Sequence, residues 1–296
     1  MHLNRQRIDV PSEGTLVKIY PFGDIHLGAT NCDYERAEKV RDMIAADPNA
    51  RWIGMGDVLD SITPHDKRWD SQITDWRRLK RKDDPDQHDE SNLVIEQMEL
   101  AERFFAPIWT KCLGFHSGNH EDMVAKYHFV DVAKKLCHDN AVVYLGYTAL
   151  TRLEICIGGN GKDGEFQGQT IALDIFSEHG GAGGGTEGNA INQLHKRFEQ
   201  YRADILLKGH VHRRGISKRS EIQWGPSRPI HRTRLAILTG HFLQGYAMNA
   251  TAYPERKSMA PSELGSTVIL IKPRRLRSGG PLLDAINVEA MEMLGL

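Results

Sequence analysis

Two rhythms of apolar and polar positions alternate along the first half of the chain. Residues 15–23, TLVKIYPFG, form a β-rich apolar run, and 33–47, DYERAEKVRDMIAAD, carry helical spacing with Asp33 placed as N-cap and Pro48 just past the end. The short run 51–56 predicts a buried strand, 91–109 an amphipathic helix capped by Ser91 or Asn92, 112–118 another strand and 128–139 another helix. Beyond these, strands follow one another: 141–146, 149–159 and 169–180, with Gly158-Gly159-Asn160-Gly161 reading as a hairpin turn. A glycine tract at 179–189 leads into a helix over 189–202, and 203–212, 235–242 and 266–273 complete the β content.

Strand–helix alternation followed by runs of strands predicts an α/β fold with two sheets packed together and covered by helices. The whole chain, 1–296, reads as a single domain with a charged insertion at about 61–90 and a C-terminal β extension at about 235–296. Within the insertion Trp69, Ile73 and Trp76 stand at i, i+4 and i+7 and predict a short amphipathic helix. Its basic residues, Arg77, Arg78, Lys80, Arg81 and Lys82, then give way to Asp83, Asp84, Asp86, Asp89 and Glu90.

The formal net charge of −1 supplies no global field toward nucleic acid or a membrane surface, so polyanion binding requires a local patch. No stretch has the length and apolarity of a membrane span, and the N-terminal residues lack the apolar core of a secretory signal. Cys32, Cys112, Cys137 and Cys156 are scattered without a C-x-x-C pair and read as reduced thiols. A cytoplasmic protein without membrane attachment is the expectation.

Five expected strands end in metal-ligand residues beside glycine: Asp24-x-His26, Asp57, Asn119-His120, His179 and His210-x-His212. Taken alone, each is ordinary turn chemistry or a structural histidine, the reading that also suits His116, His128 and His241. A turn does not call for a carboxylate or imidazole at the same point of successive units, however, and ligand sites in open α/β sheets form beyond the carboxyl ends of strands. A carboxylate, amide and imidazole set without thiolates suits Mn²⁺, Fe, Zn²⁺ or Ni²⁺.

In this order the residues resemble the calcineurin-like metallophosphoesterase superfamily, whose pattern is D-x-H, G-D, G-N-H-[DE], a lone His and G-H-x-H. The matching stretches are Asp24-Ile25-His26, Gly56-Asp57, Gly118-Asn119-His120-Glu121, His179 and Gly209-His210-Val211-His212. The resemblance implies a four-layer αββα sandwich of two mixed sheets and a site for two divalent metal ions, Mn foremost. Asp24, His26 and His212 would hold one ion, Asn119, His179 and His210 the other, with Asp57 bridging. Two cations roughly 3.5–4 Å apart clamp the oxygens of an in-line displacement. His120 would serve the leaving oxygen as the catalytic residue, with Glu121 either orienting it or facing solvent; Asp60 reads as a structural hydrogen-bonder.

The protein-phosphatase branch carries an Arg shortly after the bridging Asp, where this chain reads Gly56-Asp57-Val58-Leu59-Asp60-Ser61, closer to the phosphodiesterase and DNA-repair exonuclease branches. A second basic cluster, Arg213, Arg214, Lys218, Arg219, Arg228, Arg232 and Arg234, follows the last ligand. With the insertion it makes a phosphodiester of DNA, RNA or a nucleotide the expected substrate. A phosphomonoesterase and a non-catalytic binding protein are the alternatives.

Overall fold

The computed structural model describes residues 1–64, 66, 69, 73–79, 92–158, 168–181, 186–224, 229–246, 255, 261–274 and 286–293. In chain order these form β1 (His2–Val10), β2 (Val17–Phe22), α1 (Tyr34–Ala46), β3 (Ala50–Gly54), α2 (Trp76–Leu79), α3 (Leu93–Phe105) and β4 (Cys112–His116). The middle of the chain supplies α4 (Asn119–His128), α5 (Val132–Asp139), β5 (Tyr144–Gly146), β6 (Thr148–Ile157), β7 (Gln169–Glu178) and α6 (Glu187–Gln200). Then follow β8 (Ile205–Lys208), β9 (Arg214–Trp224), β10 (Pro229–His241), β11 (Gly265–Pro273) and β12 (Ile286–Glu292).

The strands make one mixed sheet in the order β1-β6-β7-β8-β10-β11-β2-β3-β4-β5, with β9 on β10 and β12 on β11. Parallel pairing runs through β2, β3, β4 and β5 and again through β7, β8 and β10. Such neighbours need long crossovers, which are helical except between β8 and β10, where β9 intervenes. The two halves meet at a narrow joint of two residue pairs, Gly240↔Ser266 and His241↔Gly265. Glycine is required there: Gly240 has φ +90°, and a Cβ on it would lie 2.0 Å from the Gly265 carbonyl oxygen. At the far ends Asn4 Nδ2 on β1 donates to Leu113 O on β4 at 2.8 Å, so the sheet bends back nearly upon itself.

Three apolar clusters hold this arrangement. One lies between the halves, where Ile8, Ile19, Ile53, Ile155, Ile175 and Ile269 are buried together. A second lies under α1, α3 and α5, with Phe22, Phe105 and Phe115 around Trp52, whose ring stacks on Phe105 at 4.8 Å. Burying such a side chain contributes roughly 2–3 kcal/mol. The third joins Leu194 and Phe198 of α6 to Phe176, Leu206 and Leu238.

α1 and α6 form close to expectation, α1 with Asp33 accepting from Arg36 N. The differences lie elsewhere. Of the helix expected from Trp69 the described residues show only α2, which begins at Trp76, while Trp69 follows a turn closed by its N–H on Asp66 O. Residues 119–128 form α4, and 128–139 shorten to α5, because Phe129 takes a left-handed conformation and Asp131 recaps the chain. β1 and β9 were not expected, while β12 falls within the expected C-terminal β extension. β10 and β11, from the expected C-terminal extension, stand in the middle of the strand order. Of the expected hairpin turn at 158–161, residues 159–161 lie outside the described residues, as does the acidic run of the insertion.

Candidate metal centre

Each expected site residue sits just beyond the end of β2, β3, β4, β7 or β8, and their side chains converge. His26 Nε2 is 3.2 Å from His212 Nε2, and His212 Nε2 is 3.4 Å from Asp24 Oδ1. His179 Nε2 is 3.3 Å from both Asp57 Oδ2 and Asn119 Oδ1, with His210 Nδ1 4.0 Å from Asp57 Oδ2. Ligand atoms of Asp24, His26, Asp57 and His212 lie within 4.8 Å of one another, as do those of Asp57, His179 and His210. Asp57 belongs to both groups. Such clusters of His and Asp could hold a metal ion.

The backbone is shaped around this convergence. Asp24, His26, Asp57, His210 and His212 all have φ between 47° and 66°. For residues with a Cβ that conformation costs roughly 1–2 kcal/mol each, and such strain gathers at functional sites. The strand ends lock onto one another through Asp24 N on Gly56 O at 2.8 Å, Ile25 N on Asp57 O at 2.9 Å and Phe242 N on Asp24 O at 2.9 Å.

Electrostatics follow from burial. It pulls the His26 and His210 rings below their ordinary pKa, and neighbouring imidazoles add to the effect. Burial also opposes protonation of His179, but the Asp57 carboxylate outweighs it and raises that ring to about 10. For Asp57 itself, burial favours the neutral acid, and His179 and His120 overcome it to hold the carboxyl well below its usual range. His179 Nδ1 donates to Met55 O at 2.7 Å, so Nε2 is the atom presented to Asp57 and Asn119. A proton or a cation can occupy that point, not both. His210 Nδ1 is buried without a hydrogen-bond partner among the described residues. The residues present thus fit a hard or borderline divalent cation.

His120 joins the same cluster, its ring 4.5 Å from that of His26. Its Nδ1 bonds the carbonyl of Asp60, which can only accept, so the proton is on Nδ1. The Asp60 carboxylate lies 3.5 Å from His26 Nδ1.

Glu121 does neither thing expected of it. Buried, it accepts from the N–H groups of Asp57 at 3.0 Å, Val58 at 2.8 Å, Leu59 at 3.0 Å and Gly118 at 2.8 Å. It is the clamp of the loop that carries Asp57. His241 was read as ordinary, yet it stacks on His212 at 4.9 Å and takes Ser262 Oγ at 2.8 Å on Nε2. Its signal was in view: Gly240-His241 is one more glycine–histidine at a strand end. His116 keeps its structural reading, with Gly146 O and Ser177 Oγ each 2.8 Å from a ring nitrogen.

Much of the second basic cluster is committed inward. Arg234 bonds the carbonyls of Ala203 and Tyr201 and the Glu221 carboxylate, Arg232 pairs with Asp204, and Arg214 holds Glu263, Leu264 O and Met293 O. Of the insertion, the described residues Ile73 and Asp75 pack on the loop just past His26: Thr30 N bonds Ile73 O and Asp75 N bonds Gly28 O. There Arg78 pairs with Glu38 at 3.2 Å and covers the Tyr34 ring.

No family model matches the chain. No curated protein matches it either. Solved structures that align along most of its length include a single and a double mutant of Vps29 from Entamoeba histolytica. Their identities are 10% and 11%, the TM-scores 0.33 and 0.31, and each alignment covers 94% of this chain and 99% of the other. Superpositions that loose say nothing of function. Among the described residues no helix is long and apolar enough to cross a membrane.

Proposed function

We propose that the cluster is the binuclear metal centre of a phosphoesterase of the calcineurin-like type, acting on a phosphodiester of a nucleic acid or nucleotide. The observation that carries this is the sharing of Asp57 between the two ligand groups. In this reading Asp24, His26 and His212 hold one divalent ion, Asn119, His179 and His210 the other, and Asp57 touches both, with Mn²⁺ the first candidate. The apolar cluster between the halves of the sheet supports a layered αββα description, and four free thiols suit a cytoplasmic setting. When bound, such a pair of ions polarises a phosphoryl oxygen and acidifies water.

The chain's own residues supply the rest. Glu121 and Gly118 fix the height of the Asp57 loop. The Asp60 carbonyl keeps the first proton of His120 on Nδ1, so Nε2 gains or gives the second one. Imidazole as a class titrates near neutral pH and is suited to protonate a departing alkoxide, a contribution worth roughly 10²–10⁴ in rate. The substrate class draws support from Ile73 and Asp75 of the insertion, which pack against the loop after His26. The inward-facing arginines of β9 and β10 subtract from it.

The test pairs metal content with turnover on a generic diester and a generic monoester after loading with Mn²⁺. Asp57→Ala should lose both ions and all activity. His120→Ala should keep its metal and lose about 100-fold or more in kcat. A wild-type protein that retains no ion and hydrolyses neither ester would leave a non-catalytic binding protein. Preference for the monoester would transfer the assignment to a phosphomonoesterase.

A further inference from the structure

On the opposite face of the same strand ends lies a second polar site that the metal cluster does not use. Glu178 and Lys208 form its floor, one residue before His179 and two before His210, but their side chains point under α6. Gln193, Lys196, Arg197 and Gln200 of α6 line the rest of a cavity of about 220 Å³.

The charges within do not balance. Glu178 is the single carboxylate, 3.3 Å from Arg197 Nη2 and 4.0 Å from Lys208 Nζ. Lys196 has no ion pair among the described residues. The side chain of Lys208 is only 6% exposed. An ammonium at that depth is costly unless closely paired, and a single contact at 4.0 Å is a loose pairing. Gly180 covers its stem, where an added Cβ would lie 3.1 Å from Lys208 Cε. Arg197 also holds Gln200 Oε1 at 3.0 Å, which turns the Gln200 amide donors elsewhere.

We propose that the cavity between α6 and the ends of β7 and β8 is an anion site that takes a phosphate group. Arg197 offers a planar fork for two oxygens, Lys208 a buried point charge and Lys196 a cation at the mouth. A phosphate dianion would bring the cavity's three cations and one carboxylate close to neutrality. The volume is below the roughly 300 Å³ at which drug-sized ligand pockets begin, so the site admits a phosphate and little more. That phosphate is either inorganic or the terminal group of a nucleotide whose remainder stays outside. The site is independent of the metal cluster.

The experiment is calorimetric titration of the full-length protein, stripped of metal with EDTA, with inorganic phosphate and separately with a nucleoside monophosphate. Wild type should bind at least one of them. Arg197→Gln and Gln193→Glu, both on α6, should weaken that binding tenfold or more, the second by adding a carboxylate to the cavity. Asp57→Ala should leave it unchanged, which separates this site from the metal cluster. The tighter of the two ligands identifies the source. Overturning results are an absence of binding of both ligands at about 10 mM, wild-type affinity in both α6 variants, or loss in Asp57→Ala alone. Circular dichroism of each variant excludes misfolding as the cause of a loss.

Discussion

Four backbone N–H groups, on Asp57, Val58, Leu59 and Gly118, end on the single carboxylate of Glu121. An ionised carboxylate is acceptor-only and has enough lone pairs for all of them. Glutamine at this position would turn an NH₂ toward two of those donors and leave them buried without a partner. Glu121→Gln should therefore cost roughly 3 kcal/mol of stability, read from the denaturant midpoint, and lower metal retention because Asp57 loses its aim. An unchanged midpoint with full metal content would refute the clamp. The residues of the cluster were legible in the sequence, because an imidazole or carboxylate next to a strand-end glycine stands out against an apolar run. Glu121 was not, since nothing in one dimension separates a carboxylate that faces water from one that caps four amides.

Strand-end loops, rather than strands, set the distances at this site. Gly118 ends the approach from β4 and starts α4, and it is pressed against the Asp57 loop. A Cβ added there would lie 2.1 Å from Asp57 Oδ1 and 2.3 Å from Asp57 N. Gly118→Ala has to push the two loops apart, at a cost of about 1–3 kcal/mol, and should diminish metal content along with stability. Gly181→Ala, with nothing among the described residues within 4 Å of its added Cβ, is the control and should leave both unchanged. Equal behaviour in thermal unfolding and metal analysis would remove the close approach as the reason for glycine at 118. At this scale the sequence was readable where apolar periods are long, as in α1, α3 and β7. It failed at β9, where KRSEIQW alternates with few apolar residues, and at α4, where NHEDMVAKYH carries a weak period.

Across the whole molecule, the narrow joint between β10 and β11 carries the two halves of the sheet, and the candidate metal centre draws on both: Asp24, His26, Asp57 and Asn119 from the β2–β4 half, His179, His210 and His212 from the β7–β10 half. Apolar runs mark strands but not their neighbours, so the continuity of the sheet could not be read before pairing was known. Since both halves contribute residues to the cluster, a cation bound there would be linked to the folded arrangement, and the linkage has a sign. In the metal-free protein the His179 ring titrates near 10, so at pH 7 it carries a proton that a cation must displace. His26 and His210 are shifted downward and are neutral there, so they release none. Apparent Mn²⁺ affinity should then rise with pH, by up to about tenfold per unit between pH 6.5 and 8.5, with close to one proton released per protein. Calorimetric Mn²⁺ titrations in two buffers of different ionisation enthalpy measure both quantities. An affinity that stays flat over that interval, with no proton released, would mean that the cation does not displace the His179 proton.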